Sequence, residues 1–127
     1  MKLVSRIAVA LIALLHGYIL VLEMFLWQTE HVMGAFGTTP GFAAQSAALA
    51  ANQGLYNGFL AAGLIWGLVH RRAELAWQIQ TFFLVCIMVA GAYAAMAILS
   101  ILFIQTVPAT IALILVLLTR SRGSASQ

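Results

Sequence analysis

Only nine of the 127 side chains carry a formal charge at neutral pH. They are Lys2, Arg6, Glu23, Glu30, Arg71, Arg72, Glu74, Arg120 and Arg122. Charged residues make up 7% of the chain, against about 25% in an ordinary soluble domain. Because no fold could give this chain an ordinary charged surface, the composition excludes a soluble globular protein and predicts an integral membrane protein.

The apolar runs divide the chain into four predicted membrane spans. A spanning helix takes about 20 apolar residues, and the predicted spans cover about 7–27, 48–69, 76–96 and 99–118 of a single transmembrane domain, 1–120. Segment 28–47 is polar and glycine-rich and is predicted as an extracytoplasmic loop, with a surface helix expected to begin at Pro40 after a Thr39 N-cap. Segment 121–127 is predicted as a disordered tail. We therefore predict an all-α, polytopic four-helix bundle.

The basic residues predict how this bundle is oriented. If four helices alternate across the membrane, all six lysines and arginines fall on one side. By the positive-inside rule that side is cytoplasmic. The N-terminus and the C-terminus are then both cytoplasmic, and the chain is a multi-pass protein of the inner (cytoplasmic) membrane.

Several classes of function are excluded by what the chain lacks. Although the pI is near 9.6, the six bases lie in three scattered pairs and form no basic face, so nucleic acid is not a predicted partner. Cys86 has no second cysteine with which to form a disulfide or a redox pair. His16, His31 and His70 are predicted at three different membrane depths, so no metal and no cofactor is expected.

Glu23 is the only acidic residue within a predicted span, at the depth of the outer leaflet. An ionised carboxylate in an apolar setting must be paired, hydrated or protonated, and no lysine or arginine lies on the predicted outer side. His16 and Trp27 share its face of the first helix. Glu23 is therefore the candidate acid or base. The alternatives are a water-exposed interfacial Glu23 and a neutral core His16.

The second span combines glycines with amides. Gly54 and Gly58, and again Gly63 and Gly67, have the GxxxG spacing that lets helices approach closely, so each pair is a candidate for contact within the bundle or in a homo-oligomer. Leu55, Phe59, Ala62 and Trp66 occupy the arc expected to face lipid. The polar arc supplies candidate ligand-binding residues, which are Asn52, Gln53, Tyr56 and Asn57.

Two further polar residues are predicted to join this site from the last two spans. Tyr93 lies in the outer half of the third span and Gln105 in the fourth, where Pro108 is expected to kink the helix. The candidate ligand-binding set is thus His16, Trp27, Asn52, Gln53, Tyr56, Asn57, Tyr93 and Gln105. The alternative for Asn52, Gln53, Tyr93 and Gln105 is interhelical hydrogen bonding, worth roughly 1 kcal/mol or less per contact.

Several strings in the sequence resemble one family. They are LEMFLW at 22–27, FGTTPGFA at 36–43, ANQGLYNGFLAAGL at 51–64, AGAY at 90–93 and QTVPA at 105–109. On these strings the chain resembles small bacterial membrane proteins catalogued as domain of unknown function 1304. The resemblance implies a four-helix integral membrane protein of undetermined activity, and it carries over no catalytic residue.

Three hypotheses about function follow. The first is a site that binds or transforms a small lipophilic molecule, as a cofactor-free isomerase or hydrolase would, with Glu23 as its acid or base. The second is a proton-coupled exporter that acts as a parallel dimer. The third is a non-catalytic module that assembles through its glycine faces. The sequence favours the first.

Overall fold

A computed structural model describes the backbone of residues 2–96 and 99–124 and the side chains of 2–96 and 99–119. Every element in these ranges is helical, as predicted. The elements are α1 (Lys2–Phe25), α2 (Glu30–Phe36), α3 (Pro40–Val69), α4 (Ala73–Ala94), a π-helical segment (Leu102–Thr106) and α5 (Val107–Ser124).

Three stretches in the described residues are long and apolar enough to cross a membrane. They are Lys2–Phe25, Ala73–Ala94 and Leu102–Thr119. The helix α3 has 30 residues and so the necessary length, but the amides that the sequence analysis singled out lower its hydropathy. The fold is therefore that of a membrane protein, while the fourth span and the cytoplasmic location of the termini stay predictions.

The helix α3 begins earlier than the predicted second span. Thr39 Oγ1 accepts a hydrogen bond from the Phe42 N–H at 3.3 Å, which makes Thr39 the expected N-cap of a helix that starts at Pro40. The surface helix expected there is continuous with the helix of the predicted second span, because Gly41 is followed by helix-forming residues. Residues 40–47 are thus helical, although the sequence analysis assigned them to a loop.

The rest of the predicted loop contains the short helix α2. Thr29 caps its start by accepting a hydrogen bond from the Val32 N–H at 3.4 Å. Gly37 ends it with a φ of 65°, a left-handed conformation that glycine adopts without steric cost. Val32 is completely buried, so α2 is held in place by one apolar side chain as well as by its caps.

The residues Leu14–Ala61 form one compact unit, and the described residues before and after it form another. Within Leu14–Ala61, α1 meets α3 at Gly54 and Gly58. A Cβ atom placed on Gly54 would stand 2.7 Å from Met24 Cγ, and one on Gly58 would stand 2.5 Å from Leu20 Cδ1. This glycine pair therefore lets Leu20 and Met24 rest against the α3 backbone.

In the other unit, the second glycine pair packs against α4. The Phe83 ring occupies the space that a side chain at Gly63 would need, and a Cβ on Gly67 would stand 2.7 Å from Gln80 Cγ. Both glycine pairs thus have intrachain contacts, and a homo-oligomer through these faces stays a prediction. The arc expected to face lipid, represented by Phe59 and Trp66, is exposed.

The π-helical segment precedes Pro108. The Val107 N–H donates to the carbonyl of Leu102, five residues earlier, rather than to the one four residues earlier. Proline has no N–H to donate and its ring crowds the carbonyl four residues before it, so the wider π turn fits this position. Gly91 of α4 lies against Thr106. The helix α5 continues to Ser124 instead of giving way to the predicted tail at 121, and 125–127 lie outside the described residues.

Candidate functional site

Glu23 lies two residues before the end of α1 and is buried, with 6% of its surface exposed. No lysine or arginine occurs between Arg6 and Arg71, so the Leu14–Ala61 unit contains no permanently cationic side chain. Burying a carboxylate without a cation is costly unless hydrogen bonds or a proton compensate. Packing alone therefore does not explain why Glu23 is buried in this unit.

Asn57 of α3 supplies the hydrogen bond that Glu23 receives. Its side-chain nitrogen, Nδ2, donates to Glu23 Oε2 at 2.8 Å and lies 3.3 Å from the backbone carbonyl oxygen of Gln53. The second contact keeps the amide turned toward α1. Among the described residues, no hydrogen bond reaches the other carboxylate oxygen, Oε1. The pair thus leaves one acceptor atom available.

The close approach of the two helices at Gly54 explains why this pair forms. A Cβ on Gly54 would stand 3.1 Å from both Glu23 Cβ and the backbone carbonyl oxygen of Leu20. Only glycine permits that distance without displacing α1, because a backbone atom cannot rotate out of the way. Asn57 lies one helical turn further along α3 and can therefore reach the carboxylate.

Trp27 forms a second polar link within the same unit. Its indole nitrogen donates to Ser46 Oγ at 3.0 Å, and the Ser46 hydroxyl donates to the carbonyl of Phe42 at 2.7 Å. The Trp27 ring also lies edge-on to Phe36 of α2, with 5.1 Å between ring centroids. Trp27 therefore connects the end of α1 to both α2 and α3. The ligand contact predicted for Trp27 stays a prediction.

The remaining predicted residues of this unit have different environments. His16 is completely buried in α1, two helical turns before Glu23. The side chains of Asn52, Gln53 and Tyr56 are exposed, and Gln53 contributes only its carbonyl to the pair. The Tyr56 ring lies edge-on to Phe59 at 5.9 Å. Among the four polar residues predicted from α3, Asn57 alone forms a side-chain hydrogen bond with Glu23.

Tyr93 and Gln105 belong to the other compact unit. Gln105 Nε2 donates to the carbonyl of Ile87 in α4 at 3.4 Å, which is the interhelical role considered as its alternative. Tyr93 is 76% exposed at the end of α4. That these two residues join Glu23 in one site stays a prediction.

Three buried polar residues escaped the sequence analysis, and Ser5 of α1 is one of them. Gln80 Nε2 donates to the carbonyl of Gly67 at 2.8 Å, and Ser46 accepts the Trp27 bond. Ser46 fell in a segment assigned to a loop. Gln80 could have been found from its position in an apolar run one turn into the third predicted span, since intramembrane amides rarely lack a partner.

The Glu23–Asn57 pair can bind or exchange a proton. Oε1 can accept a hydrogen bond from a ligand or carry a proton, while the Asn57 amide holds Oε2 in place. The described residues contain no group of three or more metal-ligating side chains. A carboxylate held by an amide offers acid–base and ionic chemistry of its own.

A family model confirms the family predicted from the five sequence strings. The model for proteins of unknown function catalogued as DUF1304 matches residues 10–117. The chain belongs to the DUF1304 family. The match covers the Glu23–Asn57 pair, the Trp27–Ser46 link and the π-helical segment, so all of them lie within the region that defines this DUF1304 protein. No curated protein and no solved structure matches the chain.

Proposed function

We propose that this DUF1304 protein binds a small lipophilic molecule at the Glu23–Asn57 pair, in the outer half of a four-helix bundle in the cytoplasmic membrane, and that Glu23 acts there as acid or base. The buried carboxylate carries the proposal. Glu23 is buried in a unit without lysine or arginine, and its one hydrogen-bond donor among the described residues is a neutral amide. Intramembrane acids in such surroundings commonly serve binding or proton transfer.

The surroundings of the pair support a lipophilic ligand. Leu20 and Met24 flank Glu23 on α1 and pack on the α3 glycines. Exposed apolar side chains, among them Val21 and Leu55, lie in the same unit. A ligand with a largely apolar body suits a unit whose exposed side chains are so often hydrocarbon better than a hydrated ligand does.

Thermal unfolding of the purified protein in detergent tests the proposal. A panel of fatty alcohols, fatty amines, fatty acids and quinones would be screened for compounds that raise the unfolding temperature. Glu23→Gln preserves the shape of the side chain and is expected to abolish the stabilisation. Glu30→Gln is the matched control, because Glu30 is exposed on α2, and it should respond like the wild type. Stabilisation that is equal in all three proteins would refute a ligand site at Glu23.

Proton-coupled export by a parallel dimer is the second candidate, and the same carboxylate, in a unit without lysine or arginine, favours it. A carboxyl group that is alternately protonated and bound to a substrate can couple proton and substrate movement. Proteoliposomes loaded with a fluorescent lipophilic dye and given a pH gradient would distinguish transport from binding. Gradient-driven flux that is lost in Glu23→Gln favours the exporter, whereas a protein that only binds or transforms its ligand gives no flux.

A further inference from the structure

We infer that the ligand of this site is a lipophilic amine in its ammonium form, and this inference rests on the function proposed above. The first observation is charge. The Leu14–Ala61 unit contains two glutamates, Glu23 and Glu30, and no aspartate, lysine or arginine, although the whole chain has a net charge of +3. All six bases thus lie in the rest of the chain. With neutral histidines, the unit that contains the buried Glu23 has a net negative charge.

The second observation is the unused acceptor on Glu23. Oε2 is occupied by the Asn57 amide, and no hydrogen bond from the described residues reaches Oε1. An ammonium group offers both a positive charge and N–H donors for that atom. Charge-assisted hydrogen bonds of this type are stronger than neutral ones, and the gain is largest where the carboxylate is already removed from water, as Glu23 is.

Other ligand charges fit less well. A neutral alcohol could donate a hydrogen bond to Oε1 but would leave the buried carboxylate without a counter-charge. An anionic ligand would be repelled by Glu23, and no lysine or arginine of the unit could offset that repulsion. Leu20 and Met24 pack on the α3 glycines next to the pair, and a hydrocarbon body suits these apolar neighbours. Of the three ligand charges, the cationic one neutralises an ionised Glu23 and also suits its apolar surroundings.

Three compounds that share a naphthyl ring and differ in charge test the inference. They are naphthylethylamine, which is cationic, naphthylethanol, which is neutral, and the carboxylate anion of naphthylacetic acid. Binding to the purified protein would be measured by equilibrium dialysis at a pH where the amine is protonated. We expect the amine to bind the wild type at least about tenfold more tightly than the alcohol, the difference that about 1.4 kcal/mol of added attraction produces, and the acetate to bind most weakly. In Glu23→Gln the preference for the amine should disappear, while Glu30→Gln should keep it.

A second variant keeps the test decisive if Glu23→Gln folds poorly. Asn57→Lys places an intrachain ammonium beside Oε2, where it would compete with the ligand, and it should also remove the preference for the amine. Equal binding of amine and alcohol by the wild type, or an amine preference that survives in Glu23→Gln, would overturn the inference. If the alcohol binds as well as the amine and both depend on Glu23, the proposed lipophilic site stands and its cationic specificity falls. If none of the three compounds binds, the inference of a cationic ligand is wrong. The thermal-unfolding screen of fatty compounds and quinones then tests the proposed function separately.

Discussion

The side-chain amide of Gln80 donates a hydrogen bond to the backbone carbonyl of Gly67 across 2.8 Å, and the Gln80 residue is buried. Gly67 lies in the last turn of α3, where carbonyl groups have no partner within the helix. The lack of a side chain at Gly67 gives Gln80 access to that carbonyl, since a Cβ there would stand 2.7 Å from Gln80 Cγ. A glycine and an amide on neighbouring helices thus complete the end of α3.

We predict that Gln80→Met lowers the free energy of unfolding by about 1–3 kcal/mol, the cost of leaving a buried carbonyl without its donor. Methionine has nearly the volume of glutamine but no N–H to donate. Gln78→Met is the control, because Gln78 is exposed and bonds only to Glu74 at 3.3 Å. Thermal unfolding followed by circular dichroism in detergent would compare the two. Equal losses would contradict a specific role for Gln80.

Gly54 and Gly17 should respond in opposite ways to alanine. At Gly54 a Cβ would stand 3.1 Å from the Leu20 carbonyl oxygen, so α1 must move away, and Gly54→Ala should destabilise the protein by about 1–3 kcal/mol, as overpacking does. At Gly17 nothing lies within 4 Å of an added Cβ. Gly17→Ala should stabilise α1 by up to about 1 kcal/mol through helix propensity. Unfolding temperatures of both variants test this contrast, which a stable Gly54→Ala protein would disprove.

The Trp27–Ser46 bond should contribute about 1 kcal/mol to stability. Trp27→Phe removes the donor and leaves Ser46 bonded to the carbonyl of Phe42, whereas Ser46→Ala leaves the indole N–H without its acceptor. A double-mutant cycle that combines the two, measured by thermal unfolding, isolates the coupling. Trp66→Phe is the control for loss of an indole, because the Trp66 ring is 55% exposed. A coupling energy near zero would show that the bond contributes nothing.

Cysteine labelling would test the orientation predicted from the bases. In a Cys86→Ala background, Gln28→Cys and Ala73→Cys each introduce one exposed thiol. With four spans and cytoplasmic termini, a membrane-impermeant maleimide added to intact cells should label Gln28→Cys at once and Ala73→Cys only after permeabilisation. Labelling of both variants in intact cells would contradict the alternating topology.

The sequence was sufficient to predict the helical class, the family and the tight packing at the glycine pairs, because these follow from composition and from spacing along one helix. It could not choose among Asn52, Gln53, Tyr56 and Asn57 as the partner of Glu23. That choice depends on how far α3 is rotated toward α1. Leu20 and Met24 set this rotation by packing on Gly58 and Gly54, and contacts between helices are not encoded in the period of either one.

The helix boundaries show a similar limit. The Thr39–Pro40 pair correctly marked a helix start, but the apolar pattern placed the span only from 48 onward. The alanine-rich residues between them form helix whether or not they lie in a membrane, because alanine has the highest helix propensity. The short helix α2 was missed, since seven residues are too few to show a period.

The length of α3 affects how the protein tolerates different membranes. Its 30 residues extend about 45 Å at the standard helical rise, whereas the hydrocarbon layer of a bilayer is about 30 Å thick. If α3 crosses the membrane, roughly ten residues extend beyond the acyl chains. Because the first three turns of α3, residues 40–50, carry no charged side chain, a thicker bilayer can cover one more turn of an already formed helix. The protein can then adapt to sterol-like or long-chain lipids by sliding rather than by tilting or unfolding a helix end.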